Sequence, residues 1–469
     1  MVVRVTSPPA PLERHADSPA PGALLLTVLC SAHLMDAIDL SDVTVALPAV
    51  QSDLGMGAGA LGWVVSGYLL GYGGFLLLGG RAADVLGRRR VFVVSVAVFG
   101  VLSVVAALAP NGGVLIGARL AKGVAAGFLA PAALSLITSL WPEGEARGRA
   151  LGAYATSGAA GFVGGLVLGG LVTELSWRLA FALPIPIAVA ILVLAPRLIP
   201  PDAPGDREPL DIVGAALATG SFSVLVVALT QGPVWGWPDL RFPVLMMVAV
   251  GLLIAFVLWE RATEHPLLPM ALLSRRLTAG SSVTIALLWA AYTGFAFLTT
   301  LALQDSLGYS PVQTGLAFVP IGVVNGLLAT SAGRLAARVG ARPLVLSGMT
   351  LLTVSYVLSL RVEPGADFLA VIAPMMVVNG LGLSLSFAPL NVAALSGVPE
   401  RRQGLAAALL GTSQQLGGAI GLALVTAAAS TGLSNRPATA VVVGLSAAGV
   451  TAALLLRPAR PARSYASRP

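Results

Sequence analysis

Charged residues are scarce in this chain. Only 10% of its 469 residues are Asp, Glu, Lys or Arg, 56% are hydrophobic, and the mean hydropathy is +0.88. Soluble domains carry about 25% charged residues, so the chain lacks the polar surface that a soluble fold needs on all sides. The composition excludes a soluble protein and predicts an all-α protein that crosses a membrane many times.

Cysteine and histidine are also rare. The single cysteine, Cys30, excludes an intramolecular disulfide and a multi-cysteine metal site, and the three histidines are scattered and form no metal-ligand cluster. No Gly-x-x-x-x-Gly-Lys-Ser/Thr pattern is present, which argues against ATP as the energy source. No catalytic triad can be placed. We therefore predict a protein without a metal or cofactor that is not an enzyme.

Apolar segments long enough to cross a bilayer fill most of the sequence. A span needs about 20 apolar residues, and fourteen segments meet this requirement. They are 22–48, 58–79, 90–109, 113–139, 148–173, 178–198, 211–231, 242–260, 278–303, 312–336, 342–361, 367–395, 404–429 and 438–457. Residues 1–21 are proline-rich and are predicted to form a disordered cytoplasmic tail, and 458–469 a basic cytoplasmic tail.

Basic residues are divided unequally between the two sides of the predicted spans. With the N-terminus inside, the inner loops and tails hold 22 of the 28 Lys and Arg residues, and the outer loops hold four. Positive charge accumulates on the cytoplasmic side of membrane proteins. We therefore expect both termini in the cytoplasm of a bacterial cell, with the chain in contact with membrane lipid. This topology also explains the net charge of +7 without nucleic-acid binding.

Five charged residues lie inside the predicted spans, and they fall in only two of them. The first span contains Asp36, Asp39 and Asp42, and the fourth contains Arg119 and Lys122, the only lysine of the chain. An ionisable side chain at the centre of a membrane helix costs at least ~2.5–3.5 kcal/mol and usually marks an ion or substrate pathway. These five residues are the candidate proton-coupling site of a transporter.

An internal repeat divides the chain into related halves. Residues 80–89 recur as 333–342, and both copies follow the second helix of a six-helix set. Parallel repeats of this kind are typical of secondary transporters. We predict an N-terminal six-helix bundle over 22–198, a linker with two inserted helices over 199–277, and a C-terminal six-helix bundle over 278–457. We expect the inserted pair to be peripheral to transport.

Motifs along nearly the whole chain resemble one transporter family. Residues 38–48 resemble a first-helix motif that ends in Val-Ala-Leu-Pro, and Gly80 to Arg90 resembles the loop motif Gly-x-Leu-Ala-Asp-x-x-Gly-Arg-Arg. Residues 119–123 resemble Arg-x-x-Gln-Gly, and 161–170 resemble the antiporter motif Gly-x-x-x-Gly-Pro-x-x-Gly-Gly. Together these motifs resemble the fourteen-helix drug/proton antiporter branch of the major facilitator superfamily. The resemblance implies two six-helix bundles plus two inserted helices and transport by alternating access.

The chain departs from this pattern at several positions. Ser41 stands for Thr, Asp42 replaces an apolar residue, Thr44 replaces Asn, and Lys122 replaces the Gln of the fourth-helix motif. Leu166 replaces the proline of the antiporter motif, so the usual bending mechanism of that helix is not implied here.

The resemblance assigns roles to the loop and to the fifth helix. It implies that Asp84 and Arg88 latch an inner gate, and the residues of this gating loop are Gly80, Asp84, Gly87, Arg88 and Arg89. It implies that the fifth helix bends or seals during exchange between open states, and its motif glycines are Gly161, Gly165, Gly169 and Gly170. The simpler interpretations are a tight basic turn and close helix packing through small residues.

Aromatic and polar residues in helices expected to face the centre suggest an apolar substrate cavity with a few polar anchors. They are Tyr154, Trp289, Tyr292, Phe295, Asn325, Asn379, Phe387 and Gln414. For each residue taken singly, ordinary packing and helix–helix hydrogen bonding is the favoured interpretation. As a set they favour a lipophilic or amphipathic substrate.

Depth along the helices indicates which charges lie level if the first and fourth helices are neighbours, as the resemblance implies. Counting from the outer ends of the first and fourth spans places Asp42 level with Arg119, and Asp39 level with Lys122. Asp36 has no basic partner at its level, so we expect it to be the most readily protonated carboxyl. Asp39, which matches the acid of the family motif, is expected to exchange a proton while it changes its partner among Arg119, Lys122 and the substrate. The alternative is a static salt-bridge cluster that joins two helices.

These observations predict a monomeric, proton-coupled antiporter that exports drug-like or antibiotic compounds. Two other kinds of transporter stay open, namely a dedicated exporter of one endogenous metabolite and a proton symporter. A transport-inactive membrane sensor is the rival from a different class, but no segment is long enough for a soluble signalling domain.

Overall fold

The computed structural model describes residues 22–142, 145–201, 211–263, 266, 268, 275–398, 400–429, 436–454 and 456. The predicted tails over 1–21 and 458–469 lie outside these ranges, as does the side chain of Asp84. The described residues form helices joined by short turns and contain no strand.

Fifteen α-helices build fourteen spans in the described part of the chain, as the sequence predicted. They are α1 Ala23–Leu54, α2 Ala58–Leu86, α3 Arg88–Ala107, α4 Gly112–Leu140, α5 Glu145–Thr173, α6 Trp177–Ala182, α7 Pro184–Leu198, α8 Ile212–Trp235, α9 Arg241–Ala262, α10 Arg276–Leu301, α11 Pro311–Val339, α12 Ala341–Leu358, α13 Ala373–Leu395, α14 Glu400–Ala429 and α15 Arg436–Leu454. Helices α6 and α7 form one span, and π-helical segments Ala302–Ser306 and Phe368–Ile372 extend α10 and precede α13.

Helix α1 is longer than predicted. It continues past Pro48 to Leu54 and ends at Gly55, whose φ of +61° is a left-handed conformation that glycine adopts without strain. Pro48 removes one backbone donor but does not end the helix. The predicted end at residue 48 is therefore six residues too early.

The internal repeat has the same backbone geometry in both copies. Gly87 separates α2 from α3 with φ +99°, and Gly340 separates α11 from α12 with φ +87°. A residue with a side chain would be strained at either position. The helix pairs also correspond, because α1–α5, α2–α4 and α3–α4 pack in the first half as α10–α14, α11–α13 and α12–α13 pack in the second.

Two pairs of helices join the halves, and we call these contacts the first and second seams. The first seam is α2 against α14, and the second is α5 against α11. Helices α1, α3 and α12 begin on one side of the molecule, here called the N-terminal face, and α2, α4 and α11 begin on the opposite face. Glycine lines both seams, which allows the backbones to approach closely.

The inserted helices cover the first seam. Helix α8 packs against both α2 and α14. Thr219 Oγ1 donates a hydrogen bond of 3.0 Å to the Gly74 carbonyl, and Trp63 Nε1 donates one of 3.1 Å to Thr230 Oγ1. The pair therefore contacts both halves, while α9 lies outside α8 and exposes many apolar side chains.

Candidate functional site

A buried ion cluster lies between α1 and α4. Arg119 Nη1 is 2.6 Å from Asp39 Oδ2, and the Lys122 ammonium binds Asp39 Oδ1. All three side chains are fully buried. One carboxylate thus holds two cations in a region without solvent, where charge pairs interact strongly.

Neighbouring helices hold the two cations in place. Arg119 Nε donates a 2.9 Å hydrogen bond to the Val64 carbonyl of α2, and its guanidinium lies 4.3 Å from the ring centroid of Tyr68. The Lys122 ammonium lies 4.6 Å from the ring centroid of Phe99 on α3. These cation–π contacts replace part of the hydration that burial removes.

Equal depth along α1 and α4 does not by itself decide which charges form ion pairs. Lys122 binds Asp39 as predicted, but Arg119 also binds Asp39, and neither carboxylate oxygen of Asp42 accepts a hydrogen bond. Asp39 thus contacts both of the cations among which it is expected to exchange its partner, and Asp42 has no ion pair with Arg119 among the described residues. Arginine and lysine side chains span a helical turn of about 5.4 Å, so backbone depth does not decide which carboxylate they reach.

Asp36 lies one turn from the cluster and is bound differently. It accepts a hydrogen bond from the Tyr68 hydroxyl and has no ion pair among the described residues, in agreement with the absence of a basic residue at its level. Asp36 is 8% exposed, whereas Asp39 and Asp42 are completely buried. Of the three carboxyls, Asp36 is thus the one with some access to its surroundings.

The motif glycines of α5 allow this helix to pack closely against α1, the helix that carries the three aspartates. Gly161 packs against the Leu34 backbone, Gly165 against Ser41 and Ile38, and Gly169 against Asp42. Gly170 instead meets Pro311 and Val312 of α11 in the other half. The motif glycines therefore connect α1 to the second seam, and Leu166, which replaces the motif proline, sits inside an unbroken α5.

Gly169→Ala is expected to destabilise the protein by about 1–2 kcal/mol. The new methyl group would lie 2.5 Å from Asp42 Cβ and 2.6 Å from Asp42 Cα, and backbone cannot move aside cheaply. Gly164→Ala is the matched control, because it changes helix propensity equally and meets nothing within 4 Å. Thermal unfolding of both variants in detergent measures the difference. Equal stabilities would show that α1 and α5 are not held this closely.

A small cavity lies between the two halves, beside the ion cluster. It has a volume of about 40 Å³ and is lined by α1, α2, α5, α10 and α14. Its wall is apolar except for Thr44, Thr293, Gln414 and Gln415, the hydroxyl of Tyr292 and the indole of Trp289. Pockets for drug-sized ligands measure about 300–1,000 Å³, so this conformation is too closed to hold such a ligand.

Three of the eight predicted cavity residues line this cavity, namely Trp289, Tyr292 and Gln414. Phe387 lies next to it, with its ring 6.1 Å from that of Trp289. The other four make helix contacts within one half. Tyr154 stacks on His33, Asn325 accepts a hydrogen bond from Ser384, Phe295 packs on Tyr356, and Asn379 donates to Ser355.

The gating-loop residues lie together at the N-terminal face. Gly80 is near the end of α2, Gly87 makes the turn, and Arg88 and Arg89 start α3. Arg89 Nη2 donates a 2.6 Å hydrogen bond to the Pro196 carbonyl of α7, within the same half. The side chain of Asp84 lies outside the described residues, so the latch between Asp84 and Arg88 stays a prediction.

Sequence reasoning missed Tyr68, which touches both Asp36 and Arg119. A tyrosine in an apolar span adds no charge and does not stand out in a search for ionisable residues. The available signal was the spacing of Tyr68 and Tyr72, which places two hydroxyl groups on one face of a helix.

Comparison with known proteins gives a consistent family. The family model described as Major Facilitator Superfamily matches residues 29–422 and 281–469. The puromycin resistance protein pur8 of Streptomyces alboniger is 38% identical over 85% of this chain and 80% of that protein. The cephamycin export protein CmcT of Amycolatopsis lactamdurans is 36% identical over 88% of this chain and 86% of that protein.

Solved structures have the same fold at low sequence identity. An auto-inhibited POT family peptide transporter superposes with a TM-score of 0.69 at 18% identity, covering 95% of this chain and 99% of that one. The human organic anion transporter MFSD10 gives 0.64 at 17% identity, covering 92% and 99%. The family match, the close relatives and the paired six-helix packing agree, and the chain belongs to the Major Facilitator Superfamily.

Proposed function

We propose that this protein is a proton-coupled antiporter that exports lipophilic or amphipathic antibiotic-like compounds across the bacterial cytoplasmic membrane. The observation that carries the proposal is the excess of acid in the buried site. Among the described residues, three buried carboxyls, Asp36, Asp39 and Asp42, lie in this region with two buried cations, Arg119 and Lys122. When all five are ionised the site has one negative charge too many, and one bound proton removes it.

This charge balance supports exchange of a proton for a substrate. A buried negative charge without a cation is costly, so the site either takes up a proton or opens to water. Asp39 is already neutralised by two cations, and the proton therefore goes to Asp36 or Asp42. Asp36 retains some exposure and is the more accessible of the two. The closed conformation is then stable only with a proton bound. The transporter can return to this conformation only after a proton has entered, and this requirement couples proton entry to the transport cycle.

The closed opposite face supports alternating access. There, Gln304 Nε2 donates a 3.0 Å hydrogen bond to the Val45 carbonyl of α1, and Ser310 Oγ donates a 2.8 Å hydrogen bond to Glu174. Both bonds join the two halves. Because the cavity behind them is too small for a drug-sized compound, binding requires the halves to move apart, and the two glycine-lined seams allow such a movement.

We propose an orientation in the membrane and an oligomeric state for this exporter. The concentration of Arg on the N-terminal face favours a cytoplasmic location for both termini. The closed opposite face is then extracellular. We further propose a monomer that is surrounded by lipid, since apolar side chains cover the outside of α3, α9 and α12.

The names of the relatives suggest substrates to test. They refer to puromycin, cephamycin and lincomycin, and a further relative from Streptomyces coelicolor is named a probable actinorhodin transporter. Two of these names each refer to the transport of a single compound, which supports a second candidate function, the export of one endogenous metabolite. Expression in an efflux-deficient host, followed by growth on puromycin, a cephamycin and lincomycin, separates broad resistance from resistance to one compound.

Asp36→Asn is expected to abolish export driven by a pH gradient while leaving exchange without a gradient intact, because the variant binds substrate but cannot bind the proton. The measurement is transport of the resisted compound by the full chain in proteoliposomes, with and without an imposed pH gradient. Asp53→Asn is the control, since this carboxylate lies on the same helix but is about half exposed at the opposite face. Retained accumulation against a concentration gradient by Asp36→Asn would show that Asp36 does not couple.

A further inference from the structure

Tyr68 of α2 lies between Asp36 and the ion cluster. Its side chain is completely buried, its hydroxyl donates a hydrogen bond to Asp36, and its ring faces the guanidinium of Arg119. No other described side chain contacts both groups in this way. The Tyr68 hydroxyl therefore contacts Asp36, and the Tyr68 ring contacts Arg119, which is bound to Asp39.

Tyr68 is also close to the cavity wall. Two neighbours of Tyr68 on α2 line the cavity, namely Val65, three residues before it, and Leu69, the next residue. Leu40 of α1, one turn from Asp36, also lines the cavity. A compound that enlarges the cavity must press on these apolar side chains. Movement of α2 against α1 at this place would change the distance between the Tyr68 hydroxyl and Asp36.

The hydrogen bond affects how tightly Asp36 holds a proton. A hydroxyl that donates to a carboxylate favours the ionised form, whereas burial favours the protonated form. The titratable or charged groups that face Asp36 come from four helices and are Tyr68 and Tyr72 of α2, Arg119 of α4, Tyr154 of α5 and Asp39 of its own helix. Only Arg119 is a cation, and it is bound to Asp39.

We infer that Tyr68 is a positioning residue that sets the pH at which Asp36 takes up its proton and links this event to Arg119. While Asp36 is ionised, the hydroxyl holds it and the ring stays under the guanidinium. When Asp36 is protonated it becomes a weaker acceptor, and Tyr68 is released from α1. This inference rests on the proposed role of Asp36, but it concerns a residue outside the set of charged groups.

Infrared spectroscopy of the purified full-length protein in lipid tests the inference without any substrate, because the probe is the proton itself. A protonated carboxyl has a C=O stretch that the carboxylate lacks, and the part of this band that disappears in Asp36→Asn belongs to Asp36. Tyr68→Phe keeps the ring and removes only the hydroxyl. It is expected to move the midpoint of the Asp36 band to higher pH by about one to two units, a tenfold to hundredfold gain in proton affinity.

Tyr356→Phe is the matched control. This tyrosine is also completely buried, but it lies in the second half, far from Asp36 in the fold, and its hydroxyl has no partner within hydrogen-bond geometry among the described residues. Its removal is expected to leave the midpoint unchanged. Tyr68→Leu, which also removes the ring from Arg119, is expected to shift the midpoint in the same direction as Tyr68→Phe and to lower the thermal stability further.

Two results would overturn the inference. If Tyr68→Phe titrates like the unmodified protein, Tyr68 only packs between the helices. If no part of the band disappears in Asp36→Asn, Asp36 does not titrate and Tyr68 has nothing to regulate. Failure of the proposed function has a different signature, namely that the unmodified protein shows no export driven by a pH gradient.

Discussion

Asp39→Asn is expected to destabilise the protein by about 3–5 kcal/mol, the cost of leaving buried cations without their partner. Asp39 is the only carboxylate that binds Arg119 and Lys122 among the described residues, and none of the three side chains reaches solvent. An amide can accept a hydrogen bond but cannot neutralise two positive charges. The fraction of protein that stays monodisperse on heating in detergent measures the loss, with Asp53→Asn as the exposed control.

The same geometry predicts that Lys122→Gln changes the stability in opposite directions in the unmodified protein and in Asp39→Asn. In the unmodified protein, Lys122→Gln breaks an ion pair and is expected to destabilise. In Asp39→Asn it removes an uncompensated charge and is expected to stabilise. The double-mutant cycle isolates this coupling. Equal losses of stability from Lys122→Gln in both backgrounds would mean that the ammonium binds another carboxylate in Asp39→Asn. Asp42 is the candidate, because it is buried and accepts no hydrogen bond from the described residues.

The number of spans and the location of the ion cluster could be predicted from the sequence because both depend on local composition. Apolar length defines each span, and a charge inside an apolar span stands out whatever surrounds it. The glycines of α5 were also predictable as a close contact, since small residues at four-residue spacing have few other uses in a membrane helix. The structure adds that Gly169 meets Asp42 itself.

The rotation of each helix could not be predicted. Phe295 and Trp289 lie on the same helix, yet Trp289 lines the cavity and Phe295 packs on Tyr356 within the second half. The helices of the second half carry apolar side chains on both their buried and their exposed faces, because lipid and protein interior select the same side chains. Without an amphipathic pattern, a sequence does not say which face of a helix is central.

Gly315→Ala is expected to hold the opposite face open and to reduce transport strongly. A methyl group on Gly315 would collide with the Leu166 carbonyl of α5 across the second seam, and we expect this contact to be lost when the two halves separate on that face. Overpacking costs about 1–3 kcal/mol, which corresponds to roughly a 5- to 150-fold shift of a two-state equilibrium. Separating the two helices at this face removes the collision without unfolding either of them, so we expect the shift to favour the open state.

Gly326→Ala on the same helix is the matched control, because its new methyl group meets nothing within 4 Å. Accessibility of a cysteine at Leu47, a buried residue that lines the cavity, reports the open state in a Cys30→Ala background. A membrane-impermeant thiol reagent added from the opposite face should label this cysteine faster in Gly315→Ala than in Gly326→Ala, and transport should fall in the same variant only. Equal labelling of the two variants would mean that the second seam does not close that face.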